Sequence, residues 1–170
     1  KPYILPNMLE VLSRNYTRNI EAVKAFEIGN TFMADLFDEK ALPEESYSMC
    51  VGMYGKDADF YALKGMIEQL LGEMKIDGYE YIRAVDSDAF DEKFAFHPGR
   101  SAVIMRDGKA LGILGEIHPE VQETYGIGVK TYVAKLNIPE LMESAAGKIT
   151  YQPLPKFPAT TRDLSVICDD

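Results

Sequence analysis

The chain has 170 residues, 46% of them hydrophobic, which is enough for one well-buried core but not for two full domains. Its formal charge is −9, from 18 basic against 27 acidic residues, the wrong sign for a domain whose main task is to grip a nucleic-acid backbone. No stretch approaches the roughly 20 apolar residues of a membrane helix and no charged-then-apolar leader opens the chain, so a cytoplasmic protein without membrane attachment is expected.

Leu5, Met8, Leu9, Leu12 and Tyr16 recur at helical spacing with Pro6 near the start, which predicts an amphipathic helix; Arg14 and Arg18 fall on its polar side. Val23 to Phe37 follows as two short β-like runs joined at Gly29-Asn30, then a polar loop over Asp38 to Glu45. Ser46 to Tyr54 is a further strand, whose Gly52 marks a bulge or a close approach. Asp59 caps the longest helix, with Phe60, Leu63, Met66, Ile67, Leu70, Leu71 and Met74 on its apolar face and Gly78 just past its end. Gly65 interrupts that helix, which predicts a close packing neighbour there, and Lys64 is expected to be exposed or capped by an acid. Tyr79 to Val85 is another strand.

Ser101 to Met105 alternates, Asp107-Gly108 is a favoured two-residue turn, and Ala110 to Ile117 returns as an apolar run, so this segment is a hairpin. It is bracketed by His97-Pro98 and His118-Pro119, the second of which starts a helix. A strand at Thr131 to Leu136 and a short helix opened by Asn137-Ile138-Pro139-Glu140 complete the series. Pro153, Pro155 and Pro158 then punctuate a linker, and Arg162 to Cys168 starts a strand without partners. Beginning at Lys1 without a methionine and ending just after that run, the chain is expected to be part of a longer one. Cys50 and Cys168 sit in apolar runs without metal or redox spacing and are expected to be buried and reduced. The acids of Asp35 to Glu45 and Asp86 to Glu92 are expected to be solvated loops.

The run HPGRSA, the hairpin and GxLGEIHPEV resemble the catalytic-like core domain of bacterial-type phenylalanyl-tRNA synthetase β subunits. LPNMLEVL with Asn15, FEIG at Phe26 to Gly29, and DFYALKG at Asp59 to Gly65 agree with it in order, and PKFP through Arg162-Asp163-Leu164 resembles the entry into that subunit's C-terminal anticodon-binding domain. The resemblance implies an α+β fold of the class II aminoacyl-tRNA synthetase type, a mixed, mainly antiparallel sheet flanked by helices. It divides the chain into a synthetase-like domain over 1–147 and a linker with the first strand of a truncated anticodon-binding domain over 148–170.

A working site of that class neutralises phosphates with fixed guanidinium groups and magnesium. In active members, as the resemblance implies, a phenylalanine-arginine-any-glutamate pattern supplies one such arginine. With Phe26 aligned to the phenylalanine, the arginine position is Glu27 and the glutamate position Gly29, so a phosphate would be repelled where it should be held. GIGVKT at Gly126 to Thr131 ends in threonine where an arginine is wanted, and GILGEIH carries Glu116. The expectation is therefore a domain with no catalytic, cofactor-binding or metal-binding residues. It would scaffold a catalytic α subunit in a heterotetramer that uses ATP and magnesium to attach phenylalanine to tRNA.

His97, Arg100 and His118 are expected to be structural or subunit-contact residues. Arg14, Arg18 and Lys24 are candidates for facing tRNA. The rival reading is a freestanding class II-like adenylate-forming ligase with Arg100, Arg106 and His97 around a pocket.

Overall fold

The computed structural model describes residues 3–33 and 42–145. The elements, in chain order, are α1 (Leu5–Thr17), β1 (Val23–Met33), β2 (Glu44–Tyr54), α2 (Phe60–Glu73), β3 (Glu80–Arg83), β4 (Phe96–Arg106), β5 (Lys109–Ile117), α3 (Pro119–Thr124), β6 (Thr131–Asn137) and α4 (Ile138–Ser144). Two 3₁₀ turns, Ala84–Asp86 and Asp91–Ala95, link β3 to β4. The linker and strand expected over 148–170 lie outside the described residues.

The six strands form one sheet in the order β1-β2-β6-β5-β4-β3. Every pairing is antiparallel, so the parallel component expected of a mixed sheet is absent among the described residues. Helices cover both faces. On one, α1 buries Leu5, Met8, Leu9 and Leu12 against Cys50, Tyr54, Val133 and Ile113. On the other, α2 and α4 bury Leu63, Ile67, Leu71 and Leu141 against Met53, Leu114, Ala134 and Leu136. The central strands β5 and β6 are thus buried on both sides, which is why they read as almost unbroken apolar runs. No helix among the described residues is long and apolar enough to cross a membrane.

Local signals explain most boundaries. Asp59 accepts the Ala62 N–H at 2.6 Å and starts α2. Asp107 and Gly108 both have positive φ, 50° and 78°, the backbone that a tight hairpin with the twist of its strands requires. Gly52 is a close approach: a Cβ there would lie 2.7 Å from the Met8 side chain and 2.9 Å from Leu12, so α1 sits directly on β2.

Three expectations are corrected. Gly29-Asn30 is not a turn, because β1 runs straight through it, paired with Ser48 and Tyr47; a long partner strand outweighs a local turn signal. Gly65 lacks the close packing neighbour expected of it: nothing lies within 4 Å of the point where a Cβ would stand, so it faces open space on α2. Finally, the strand read over Tyr79 to Val85 is only Glu80–Arg83, since the chain turns into a 3₁₀ segment at Ala84.

The hairpin carries an irregularity. Phe96 opposes Ile117 and Ser101 opposes Gly115, so five steps along β4 face two along β5, and His97 to Arg100 bulge out. Gly115 makes room for this: a Cβ there would lie 2.6 Å from the Arg100 carbonyl oxygen and 2.7 Å from the Ser101 Cα. Gly115→Ala should therefore destabilise the fold by about 1–3 kcal/mol. Gly65→Ala, on an open helix surface, should stabilise it by about 0.5–1 kcal/mol. Urea midpoints of the two variants, moving in opposite directions, check both.

Candidate functional site

One cross-strand row runs over the sheet face that α1 covers: Glu27 opposes Cys50, Cys50 opposes Lys135, Lys135 opposes Ile113, Ile113 opposes Val103 and Val103 opposes Ile82. Lys135 is the one cation in it. Its ammonium is hydrogen-bonded to Glu92 Oε2, from the 3₁₀ turn Asp91–Ala95, and lies 5.5 Å from the Phe90 ring centre and 5.8 Å from that of Tyr3. The two charged side chains are only 11% and 7% exposed.

Removing both from water is costly, and the hydrogen bond with the flanking rings offsets that cost. Burial raises the Glu92 carboxyl above its ordinary range, with the Lys135 hydrogen bond and charge pulling the other way. Burial, then the Glu92 and Glu27 carboxylates, push the Cys50 thiol far up, so it stays protonated and inert. Gly29 lies beside the residue that precedes α1, with Ile4 Cδ1 3.6 Å from where a Cβ would stand. A hollow of about 200 Å³ on this face lies beside Tyr3, Phe90, Glu92 and Lys135.

A larger open hollow, about 660 Å³, lies at the β4 bulge and brings His97 and Arg100 together with Glu116, Glu123, Tyr16 and Lys130. Arg100 Nη1 donates to Glu116 Oε1 at 2.9 Å, and Glu116 is 3% exposed. Arg100 is thus paired with the buried Glu116, while Lys130 and Glu123 line the same hollow. Burial and Glu116 also raise the Tyr132 hydroxyl.

The two histidines make the same local contact: His97 Nδ1 accepts the Gly99 N–H at 3.1 Å and His118 Nδ1 accepts the Glu120 N–H at 3.3 Å, the latter capping α3. Their segments are neighbours, since the His118 N–H donates to the Ala95 carbonyl at 2.8 Å. His118 itself lines a separate cleft with Phe94, Phe96 and Pro98.

Arg106 does not join Arg100 and His97. It lies at the far end of the hairpin, where Nη1 donates to the Ser144 carbonyl at 2.5 Å and Nε is 3.5 Å from Asp107. Arg14 is exposed on α1 and Arg18 is exposed just past its end, whereas Lys24 belongs to the opposite sheet face, beside Phe26, Met49 and Met66. The three do not share a surface. Glu92 and Lys135 could not be paired from residue order, because they are 43 positions apart and Glu92 looks like one more acid in a solvated cluster. An isolated lysine in an otherwise apolar strand, TYVAKLN, was the available signal.

The family model for the phenylalanyl-tRNA synthetase beta chain CLM domain matches residues 1–138. This chain belongs to that family. Among relatives, it is 41% identical over 166 residues to the phenylalanine–tRNA ligase beta subunit of Clostridium tetani, covering 98% of this chain and 20% of the relative. It is 39% identical over 166 residues to the beta subunit of Clostridium acetobutylicum, covering 98% and 20%. To that of Symbiobacterium thermophilum it is 34% identical over 177 aligned residues, covering 98% and 19%. The chain therefore spans about a fifth of the length of the beta subunits it matches. The CLM-domain match takes in every strand of the sheet, including the whole cross-strand row.

Lys135→Met in this CLM domain leaves Glu92 buried without its counter-ion, and the expected loss at neutral pH is about 3–5 kcal/mol. Because the folded-state carboxyl already titrates above its unfolded value, the folded chain holds that proton longer, and stability from this group falls as pH rises between the two values. Removing the lysine raises the folded value further, so the loss should shrink on acidification toward about pH 5. Urea unfolding of the variant at both pH values checks this; an equal loss at both would remove the Glu92 charge as its cause.

Proposed function

We propose that this chain is a class II synthetase-like domain without aminoacylation chemistry of its own, which scaffolds the catalytic α subunit of a phenylalanine–tRNA ligase. In this reading ATP, magnesium and phenylalanine are held by the α subunit, tRNA is engaged through the whole enzyme in the cytoplasm, and residues 148–170 open a further domain of the anticodon-binding type. The observation that carries the proposal is the closed sheet face. Its row holds a carboxylate, Glu27, at the position to which the resemblance to class II enzymes assigns a phosphate-binding arginine, and its one cation, Lys135, is paired with Glu92. The 200 Å³ hollow beside that pair is smaller than the roughly 300–1,000 Å³ of sites for drug-sized ligands.

The role of holding a neighbour is supported by β1. It is an edge strand of 11 residues, and Phe26, Ile28 and Phe32 on it, with Tyr47 on β2, are 68%, 55%, 38% and 55% exposed. Long apolar edges of this kind are ordinarily covered by another chain segment or blunted by charge. The opposite edge, β3, is only four residues long, with Glu80 and Arg83 exposed at its ends.

Two measurements test the proposal. Calorimetric titration of the chain with ATP and magnesium should give no binding in the millimolar range; tighter binding would overturn the absence of chemistry. A full-length β subunit carrying Phe26→Ser and Ile28→Thr should keep its unfolding midpoint, with stability changed by no more than about 0.5 kcal/mol as expected of surface sites. It should also co-purify with the α subunit at reduced yield. Full recovery of the complex would remove β1 from the interface.

A further inference from the structure

The helix layer on the α2 side of the sheet is incomplete. There α2 lies on β5 and β6, and α4 runs from the end of β6 toward the β4–β5 hairpin, where Arg106 donates to the Ser144 carbonyl and Lys109 meets Glu143. Over β1 and β2 the layer stops. Side chains of β1 alternate between the faces, and since Glu27 shares the α1 side with Cys50, Lys24, Phe26, Ile28 and Phe32 fall on the α2 side. Tyr47, opposite Asn30, joins them, and all five are exposed. Between this strip and the flank of α2 runs an apolar groove of about 250 Å³, walled by Phe26, Met49, Val51, Met66 and Leu70.

The open strip has the dimensions of one helix. Two strands spaced about 4.8 Å apart make it close to 10 Å wide, the diameter of a helix and the usual separation of packed neighbours. From Lys24 to Phe32, at about 3.3 Å per residue, it is roughly 26 Å long, the rise of about 18 helical residues. Its ends carry opposite charge. Lys24, at one, pairs with no carboxylate among the described residues, and Glu45, opposite Phe32 at the other, accepts an amide N–H of Asn30.

We propose that an amphipathic helix of the catalytic α subunit lies in this strip, with its N-terminal end at Glu45 and its C-terminal end at Lys24. Apolar side chains at helical spacing rest on Phe26, Ile28 and Tyr47, and one enters the groove beside Met66 and Leu70. The direction follows from the helix dipole, positive at its N-terminus and negative at its C-terminus. A strand added to the edge of β1 would meet its backbone groups but leave these side chains in water, because they stand perpendicular to the sheet. This docking rests on the reading of β1 as an α-subunit contact, with which it shares Phe26 and Ile28, and adds the kind of element that makes the contact and its direction.

The test places photoreactive p-benzoylphenylalanine at Phe26 or at Met66 of a full-length β subunit, irradiates its purified complex with the α subunit and identifies the joined peptides by mass spectrometry. Met66 is on α2, across the groove from β1. Both positions should capture the α subunit, and the peptide joined at position 66 should carry apolar residues at helical spacing. Capture of the α subunit at 26 but not at 66, capture at 66 of a peptide alternating as a strand, or capture there of another β-subunit segment overturns the helix while leaving β1 as a contact. Capture of the α subunit at neither position overturns both readings. Lys24→Glu, at an exposed site, should weaken the complex about threefold at low salt and less at high salt. Unchanged affinity at low salt would overturn the direction assigned to the helix, a measurement that stands even if the probe at Met66 disturbs the fold.

Discussion

The buried ion pair of Lys135 with Glu92 is the contact on which the α1 side of this domain depends. Lys135 rises from β6, a strand enclosed on both faces, into a layer otherwise made of Cys50, Ile113 and Val133. A lysine in that position is tolerable only with a counter-ion, and Glu92 is brought to it by the 3₁₀ turn Asp91–Ala95. That turn leads directly into Phe96, the His-Pro bulge and the register of β4 on β5. A charge requirement in the middle of the sheet thereby positions a loop more than 40 residues away in sequence.

The same pair explains how a face of the sheet can be closed without being wholly apolar. Glu27, Cys50 and Lys135 stand side by side across three strands, so a carboxylate, a protonated thiol and a neutralised ammonium occupy the middle of the row. Within that row the Lys135 ammonium is taken up by the Glu92 carboxylate. The β4 bulge has the same character, since Arg100 is spent on the buried Glu116. Both of these buried carboxylates are thus met by a cation, while Phe26, Ile28 and Phe32 on the edge strand β1 stand exposed.

How much of this could be read from the chain itself varies with the range of the forces involved. The helices α1 and α2, the Asp107-Gly108 hairpin and the helix start at Pro119 were legible because each depends on residues within a few positions: apolar period, a capping aspartate, a pair of residues that accept positive φ, a proline at the first turn. Gly29-Asn30 and Gly65 were misread for the same reason in reverse. A glycine is a local signal with several meanings, and only the neighbours supplied by pairing or packing choose among them. Of the candidate residues, His97 and Arg100 proved to share a hollow, whereas Arg106 is separated from them by the length of β4, a distance that residue types alone do not encode.

The amino-acid sequence by itself determined the family of the chain, its α+β character and the carboxylate at position 27, because these follow from residue identity and short-range periodicity. Only the tertiary structure decided that the sheet is antiparallel throughout its described strands, that Glu92 leaves its acidic cluster to meet Lys135, and that the apolar residues of β1 face outward. The physical reason is that strand order and burial arise from contacts between residues far apart in the chain. A hydrophobic or charged side chain carries no mark of which distant partner will cover it.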